Sequence, residues 1–272
     1  FFGLLLLVGG TILIWWNEGN FVKTRKAIDE TQGVTISVSD VSNIDPALNG
    51  KVIHASAFAN TTDSISDTKF MVGANAISIT RSVEYYQWDE ESNSTSKDKI
   101  GGSEETTTTY TYETVWTDTP INSSEFKDPK YQERNFTLVN IENNVVTANK
   151  VSFGAYTLPK FLVNRITGEV PINLNYTPEQ IEQLEGLITA KPTTPVSDTI
   201  PDSSSVQVAD KYVHMVDNML YFGISPSSPN VGDVRVTFTK VNPTDVSIIA
   251  KVVGNTFEPF TTKNGRDFSK LV

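Results

Sequence analysis

Alternating hydrophobic and polar positions run through the first half of the chain and predict β strands. The alternation is clear in residues 51–58 and in the long run over residues 70–88. Residues 89–105 are polar and contain two adjacent glycines, and strict alternation then resumes over residues 106–116. Because the side chains of a strand point alternately to two faces, the pattern predicts a long hairpin whose two strands are joined by a polar loop.

A helix is predicted further along the chain, where the spacing of apolar residues changes. Thr177 is a natural N-cap, Pro178 suits the first helical position, and Gln180 is placed to complete a capping box. The Pro-, Ser- and Thr-rich residues that follow favour extended, solvated backbone. Short strands separated by Pro, Gly and Asn turns then continue to the end of the chain.

These patterns predict an α+β fold that is mostly antiparallel β with a few short helices, preceded by an N-terminal transmembrane helix. The predicted division is a transmembrane helix in residues 1–20, a β-rich extracytosolic domain with short helices in 21–190, a linker in 191–205, a second β-rich unit in 206–265, and in 266–272 the start of a connection to further C-terminal membrane spans.

The membrane segment is the uncharged run FFGLLLLVGGTILIWW over residues 1–16. As a helix it covers ~24 Å, somewhat less than the ~30 Å hydrocarbon core of a bilayer. Trp15 and Trp16 lie where an aromatic belt forms, and Lys23, Arg25 and Lys26 follow within reach of lipid phosphates. A cleaved signal peptide is the alternative, but the following WWNEGN has no small-residue cleavage site. We therefore predict a retained anchor that contacts membrane lipid.

Aromatic residues gather on the predicted hairpin. In the returning strand Tyr110, Tyr112 and Trp116 share one face, and Tyr85 and Trp88 lie on the outgoing strand. The rings either fill core space and form cross-strand pairs, or they form an exposed recognition surface. These five residues are our candidate interaction face.

Composition excludes several classes of function. Lys and Arg total 22, Asp and Glu total 32, and the net charge of -10 argues against nucleic-acid binding. There is no Cys, so disulfides and thiol chemistry are excluded. His54 and His214 have no metal-binding spacing, no phosphate-cradling or nucleophile motif occurs, and the carboxylates at 89–91 and 104–105 suit a solvated charge cluster. We expect no catalysis, no metal and no cofactor.

Six short segments, in this order, carry a resemblance to a known family. They are Trp16-Asn-Glu-Gly19, Val22-Lys-Thr24, RSVEYYQW at 81–88, YTYETVW at 110–116, Ile121-Asn-Ser123 and VGDVRV at 231–236. Together they resemble the transmembrane protein 43 family, also called LUMA. The resemblance implies a large hydrophilic domain between the first and second membrane spans, on the non-cytosolic side. It also implies no catalytic residues.

For a eukaryotic chain, the resemblance implies a protein of the endoplasmic reticulum and inner nuclear membrane that self-associates and binds lamins and emerin. For a bacterial chain the resemblance implies a periplasmic domain. Our hypothesis is therefore a membrane scaffold or organising protein that forms homo-oligomers and binds other membrane-associated proteins. The alternative is a channel or transport component, or its modulator, whose pore lies in the further C-terminal spans.

Overall fold

The structure is a computed structural model that describes residues 2–98, 104–189, 211–263, 265, 267 and 269–271. For residues 2–16, 19 and 98 it describes the backbone alone. The predicted linker at 191–205 lies outside the described residues, as do parts of the segment after residue 263.

Helices make up a small part of the fold after the first one. The α helices are α1 (Phe2–Val34), α2 (Lys160–Val163) and α3 (Pro178–Glu185), and short 3-10 helices occur at Pro46–Leu48 and Ser123–Glu125. Helix α3 begins as predicted, because the Thr177 hydroxyl accepts a hydrogen bond from the Gln180 backbone N–H and the Gln180 side chain accepts one from the Thr177 N–H.

Strands form most of the described chain. They are β1 (Thr35–Val38), β2 (Val52–Asn60), β3 (Ser64–Asp67), β4 (Val72–Asn75), β5 (Ser78–Asp98), β6 (Glu104–Thr117), β7 (Asn144–Thr147), β8 (Val151–Phe153), β9 (Tyr156–Leu158), β10 (Glu169–Pro171), β11 (Val213–Val216), β12 (Met219–Phe222), β13 (Val234–Val241), β14 (Thr244–Val253), β15 (Thr256–Glu258) and β16 (Lys270–Leu271).

Two large sheets and one small hairpin contain these strands. The first sheet has the order β15-β14-β2-β8-β9, with β1 beside β2 and β16 beside β14. The second has the order β11-β12-β13-β5-β6, with β10 beside β13 and β7 beside β5. The hairpin is β3-β4, and β1–β2 is the one parallel pair among the described strands. The prediction of a mostly antiparallel β fold with a few short helices is confirmed.

Strands from the last quarter of the chain complete both large sheets. Strand β13 pairs with β5 from Val234 opposite Tyr85 to Val241 opposite Ser78, and β14 pairs with β2 in the same antiparallel manner. Their apolar residues join one buried core with those of the earlier strands. A strand with one apolar face must bury that face against another element, and the strands of residues 21–190 provide the packing partners. No sheet among the described residues therefore belongs to 206–265 alone.

Helix α1 extends well past residue 20, where the predicted membrane segment ends. Its last third contacts the β domain: Ala27 and Thr31 are buried, and the Glu30 carboxylate accepts a hydrogen bond from the Lys263 N–H at 3.1 Å. Among the residues whose side chains are described, no helix is both long and apolar enough to cross a membrane. The side chains of 1–16 are outside that part of the chain.

The polar stretch at 89–105 is a correction to our prediction, because most of it is strand rather than loop. Strands β5 and β6 stay paired up to Asp98 opposite Glu104, and only 99–103, which are not described, separate them. Serine and threonine rows explain the pairing, since Thr favours strands and hydroxyl pairs link Ser94 to Thr108 at 2.8 Å and Ser96 to Thr106 at 3.0 Å.

A buried ion pair crosses from the small hairpin to the second sheet. The Arg81 guanidinium donates to the Asp67 carboxylate at 2.5 Å and to the Glu142 carbonyl oxygen at 2.9 Å. Its carbon lies 4.9 Å from the centre of the Phe70 ring. The two side chains are 9% and 3% exposed, so neither charge has water as a substitute partner.

We predict that Asp67→Ala lowers the free energy of unfolding by about 3–5 kcal/mol, because it leaves a buried guanidinium without its counter-charge. Glu258→Ala is the matched control: its carboxylate pairs with Lys251 at 3.5 Å on the surface, and its removal should cost less than ~1 kcal/mol. Urea unfolding monitored by circular dichroism measures both. Equal losses for the two variants would contradict a buried pair.

Candidate interaction surface

The aromatic face lies on the outer side of the second sheet, which points away from the core. Alternation along β5 separates Glu84, Tyr86 and Trp88 on this side from Val83 and Tyr85 on the core side. Tyr85 is only 3% exposed, and its hydroxyl donates to the Ile141 carbonyl oxygen. Tyr85, which we predicted as part of the interaction face, is therefore a core residue instead. The prediction failed because residues 85 and 88, an odd number apart, cannot share a face of a regular strand.

The other four predicted residues do share that face. Trp116 lies opposite Tyr86, and Tyr112 and Tyr110 lie opposite Glu90 and Ser92 respectively. Trp88, opposite Thr114, completes the row. Trp88 is the diagonal neighbour of both Tyr112 and Trp116, and diagonal neighbours on two strands are about 7–8 Å apart, within reach of aromatic side chains.

Most of this row is packed against another part of the same chain. Residues 118–137, the covering segment, place the Tyr131 ring 4.2 Å from Tyr112 in a stacked arrangement and 4.8 Å from Trp88 in an edge-on one. The Phe126 ring lies 5.8 Å from Tyr112. These contacts favour the interpretation that Trp88 and Tyr112 fill space, because their ring faces already have partners.

Hydrogen bonds fix the covering segment in place. The Tyr112 hydroxyl donates to Glu90 Oε2 at 2.6 Å, and the same oxygen accepts the Lys127 N–H at 2.5 Å. The Asp128 N–H in turn donates to the Tyr112 hydroxyl at 2.8 Å. Loss of solvent, followed by the hydrogen bond to Glu90, raises the pKa of Tyr112. The Tyr112 hydroxyl donates one hydrogen bond and accepts another, and together they join β6 to β5 and to the covering segment.

Asn135 closes the outer edge of β5 in the way that a neighbouring strand would. Its Oδ1 accepts the Trp88 N–H at 2.8 Å, and its Nδ2 donates to the Trp88 carbonyl oxygen at 2.9 Å. Two residues earlier, Tyr86 exchanges backbone hydrogen bonds with Gly232 and Asp233. The edge of β5 is thus satisfied up to Trp88.

Trp116 connects the aromatic row to a second set of polar groups. Its ring is 5.2 Å from Tyr86 and 6.1 Å from Tyr221, and the Arg235 guanidinium carbon lies 4.3 Å from its centre. Arg235 also makes two hydrogen bonds to Glu84, at 2.6 and 2.9 Å. This bidentate pair satisfies the guanidinium, so Arg235 is a structural partner of Trp116.

Asp233 is a buried carboxyl beside this set. Its Oδ2 accepts the Tyr221 hydroxyl at 2.5 Å and the Asn230 N–H at 2.8 Å. Burial raises the pKa of Asp233, and the hydrogen bond from Asn230 opposes that rise. Burial and the bond to Asp233 also raise the pKa of Tyr221.

The two histidines lie on strands of different sheets. His54 is exposed on β2, and His214 lies on β11 opposite Tyr221, with an Nε2 that has no hydrogen-bond partner among the described residues. The described part of the chain holds no group of three or more side chains that could bind a metal. The hydrogen bonds of Asp233 connect it to Tyr221 and Asn230.

The part of the hairpin beyond the covering segment is exposed on both sides. We call residues 91–98 and 104–111 the arm. All of its described side chains are exposed, including the Tyr110 ring at 37%. At about 3.3 Å per residue the arm is ~26 Å long. Among the residues of the predicted interaction face, Tyr110 is the one whose ring lies on the arm and is exposed.

The structure describes the side chains of three of the five predicted anchor residues. Lys23, Arg25 and Lys26 are exposed on α1. The side chains of Trp15 and Trp16 lie outside the described residues.

The chain is similar in sequence to membrane proteins of one family. The family model described as "Transmembrane protein 43" matches residues 85–272. Transmembrane protein 43 of rat and of human is 26% identical to this chain over 279 aligned residues, covering 97% of the chain and 61% of the relative. The Drosophila melanogaster homolog is also 26% identical, covering 97% of the chain and 63% of the relative.

These matches define a chain of a membrane-protein family. It belongs to the transmembrane protein 43 family, and it spans about three fifths of the length of the curated relatives it matches. The resemblance found in the sequence is therefore confirmed. No solved structure matches the fold.

Tyr112→Phe should lower the free energy of unfolding by about 1–2 kcal/mol, because it removes the hydroxyl that joins Glu90 to the Asp128 N–H. Tyr110→Phe is the control on the same face of β6, and its exposed ring should change stability by less than ~0.5 kcal/mol. Thermal unfolding, with proteolysis of the covering segment as a second readout, compares the two variants. If both behave alike, the covering segment is not held by Tyr112.

Proposed function

We propose that the chain is a membrane-anchored scaffold that self-associates and binds partner proteins through a large non-cytosolic β domain, without catalytic activity. The observation that carries the proposal is helix α1, whose backbone runs without interruption from Phe2 into the β domain. An anchor continuous with the domain holds it at a fixed distance from the bilayer, as an organising protein requires.

Side chains along α1 support the anchoring part of the proposal. Phe21 and Val22 are 65% and 45% exposed, beside the exposed cations Lys23, Arg25 and Lys26. Apolar residues next to Lys and Arg suit the boundary between acyl chains and lipid phosphates. Ala27 and Thr31 are buried in the domain one turn later. The helix therefore has room for one exposed interfacial stretch between the apolar residues 1–16 and the domain.

Two arguments about sidedness point in opposite directions. The basic residues after the helix favour a cytosolic domain by the positive-inside rule, but that rule compares both flanks of a span and does not prevent a large domain from being translocated. The family resemblance implies the lumenal side of the endoplasmic reticulum and nuclear envelope, or the periplasm in a bacterium. We follow the family.

The absence of Cys makes sidedness and assembly measurable in one experiment. Ser96→Cys places a thiol on the exposed arm. In sealed vesicles of known sidedness that have been washed with alkaline carbonate, we expect a membrane-impermeant maleimide to label it from the lumenal or periplasmic face. After detergent extraction the labelled particle should be larger than one chain.

The matched control is Val83→Cys, which places the thiol in the core, where the native residue is 1% exposed. It should react only after denaturation. Release by carbonate would contradict the anchor, and labelling from the cytosolic face alone would contradict the sidedness. A monomeric particle would contradict self-association.

A further inference from the structure

Strand edges near the core are covered, whereas both edges of the arm, β5 beyond Trp88 and β6, have no further strand partner among the described residues. Strands β9 and β15 cover each other, with the Thr157 N–H donating to the Asn255 carbonyl oxygen at 2.9 Å. At the far edge of the second sheet, Glu185 Oε1 accepts the N–H groups of Tyr212 and Val213, each at 2.7 Å. Unpaired edges invite pairing with other chains, so proteins cover them.

Of these two open edges, the one formed by β6 carries no charge over residues 106–112, whereas the one formed by β5 contains Glu90, Glu91, Lys97 and Asp98. Strand β6 is 14 residues long, and within the described part of the chain it pairs only with β5. Because Tyr86 exchanges its backbone hydrogen bonds with Gly232 and Asp233, the backbone groups of even-numbered residues of β5 point away from β6. The backbone groups of the β6 residues opposite them point away from β5, because antiparallel strands alternate hydrogen-bonded and non-hydrogen-bonded pairs. The N–H groups of Thr106, Thr108 and Tyr110 therefore face solvent.

Side chains give this edge two different faces. Tyr110, Tyr112 and Trp116 lie on the aromatic side, and Glu113 lies on the other side opposite Asp89. Residues 106–112 carry no charge and no proline, so nothing in them blocks pairing of the backbone.

Charge decides what could pair there. Over residues 89–98 and 104–113 the chain has Asp89, Glu90, Glu91, Asp98, Glu104, Glu105 and Glu113 against Lys97 alone. Two such arms would repel each other, because both the arm and the whole chain are acidic. A basic strand instead complements the carboxylates, and its alternate apolar side chains would lie beside the tyrosines.

We propose that the free edge of β6 at residues 106–112 binds an extended segment of a partner protein that alternates basic and apolar residues. The segment adds to the second sheet as a further strand beyond β6. Main-chain hydrogen bonds supply affinity, and the two faces supply specificity. This inference rests on the proposed function in one respect: the partner is a protein that the non-cytosolic domain binds.

The probe is a short fluorescent peptide that alternates Lys and Val, titrated by anisotropy into the full chain in detergent micelles. Thr108→Pro removes one outward N–H at an edge position where proline is tolerated, and should weaken binding at least ~10-fold. Thr108→Ala keeps that N–H and should bind within about twofold of the unchanged chain. An unchanged near-ultraviolet circular dichroism spectrum shows that the arm remains folded.

A second variant keeps the backbone intact in case proline disturbs the arm. Glu91→Lys combined with Glu113→Lys removes two carboxylates and adds two cations, so it should weaken binding of the Lys peptide and narrow its advantage over a peptide alternating Glu and Val. Equal binding of both peptides to the unchanged chain would overturn the proposal, as would equal binding by the two Thr108 variants. A particle that becomes smaller in Thr108→Pro without peptide would mean that a second copy occupies the edge, which also overturns it.

Failure of the proposed scaffold function has a different signature. A monomeric chain that binds the Lys peptide through β6 would contradict self-association and support this inference. An oligomer that does not bind the Lys peptide would support self-association and contradict this inference.

Discussion

The pairing of β5 with β13 is the contact on which the rest of the fold depends. Eight residues of β5, Ser78 to Tyr85, pair with Val241 to Val234 of β13. Strand β5 then continues to Asp98, and over this part β6 is its only strand partner within the described residues. One strand is therefore a central member of a sheet in its first part and half of a two-stranded ribbon in its second. Isolated two-stranded ribbons are marginal in water, so the arm depends on its base for stability.

The base of the arm is stabilised by aromatic stacking and charge-assisted hydrogen bonds rather than by a second sheet. Tyr131 stacks on Tyr112, Asn135 takes the place of a strand beside Trp88, and one oxygen of Glu90 accepts two hydrogen bonds. This arrangement uses the aromatic face that the sequence suggested for recognition. The candidate interaction surface is therefore not the ring face at the base of the arm but the backbone edge of β6 together with the exposed Tyr110.

Local patterns in the sequence predicted local structure well. Alternation located the strands of the hairpin, and the Thr177 capping box located helix α3. The polar residues at 89–105 were misjudged because a polar stretch without apolar alternation can still be strand when a threonine-rich partner, here residues 106–109, lies beside it. Pairings between residues more than 150 positions apart, such as Arg235 with Glu84, leave no local signal. Neither does Asn135, whose role depends on the position of Trp88.

The central claim is that the outer edge of β6 is open in the native protein, and amide hydrogen exchange tests it residue by residue. Because β6 bonds to β5 through its odd-numbered residues, the amides of Thr107, Thr109 and Thr111 should be protected, while those of Thr106, Thr108 and Tyr110 exchange much faster. Addition of the Lys peptide should then protect the second set. Equal exchange of both sets along β6, or protection of the even-numbered amides in the protein alone, would contradict an open strand edge.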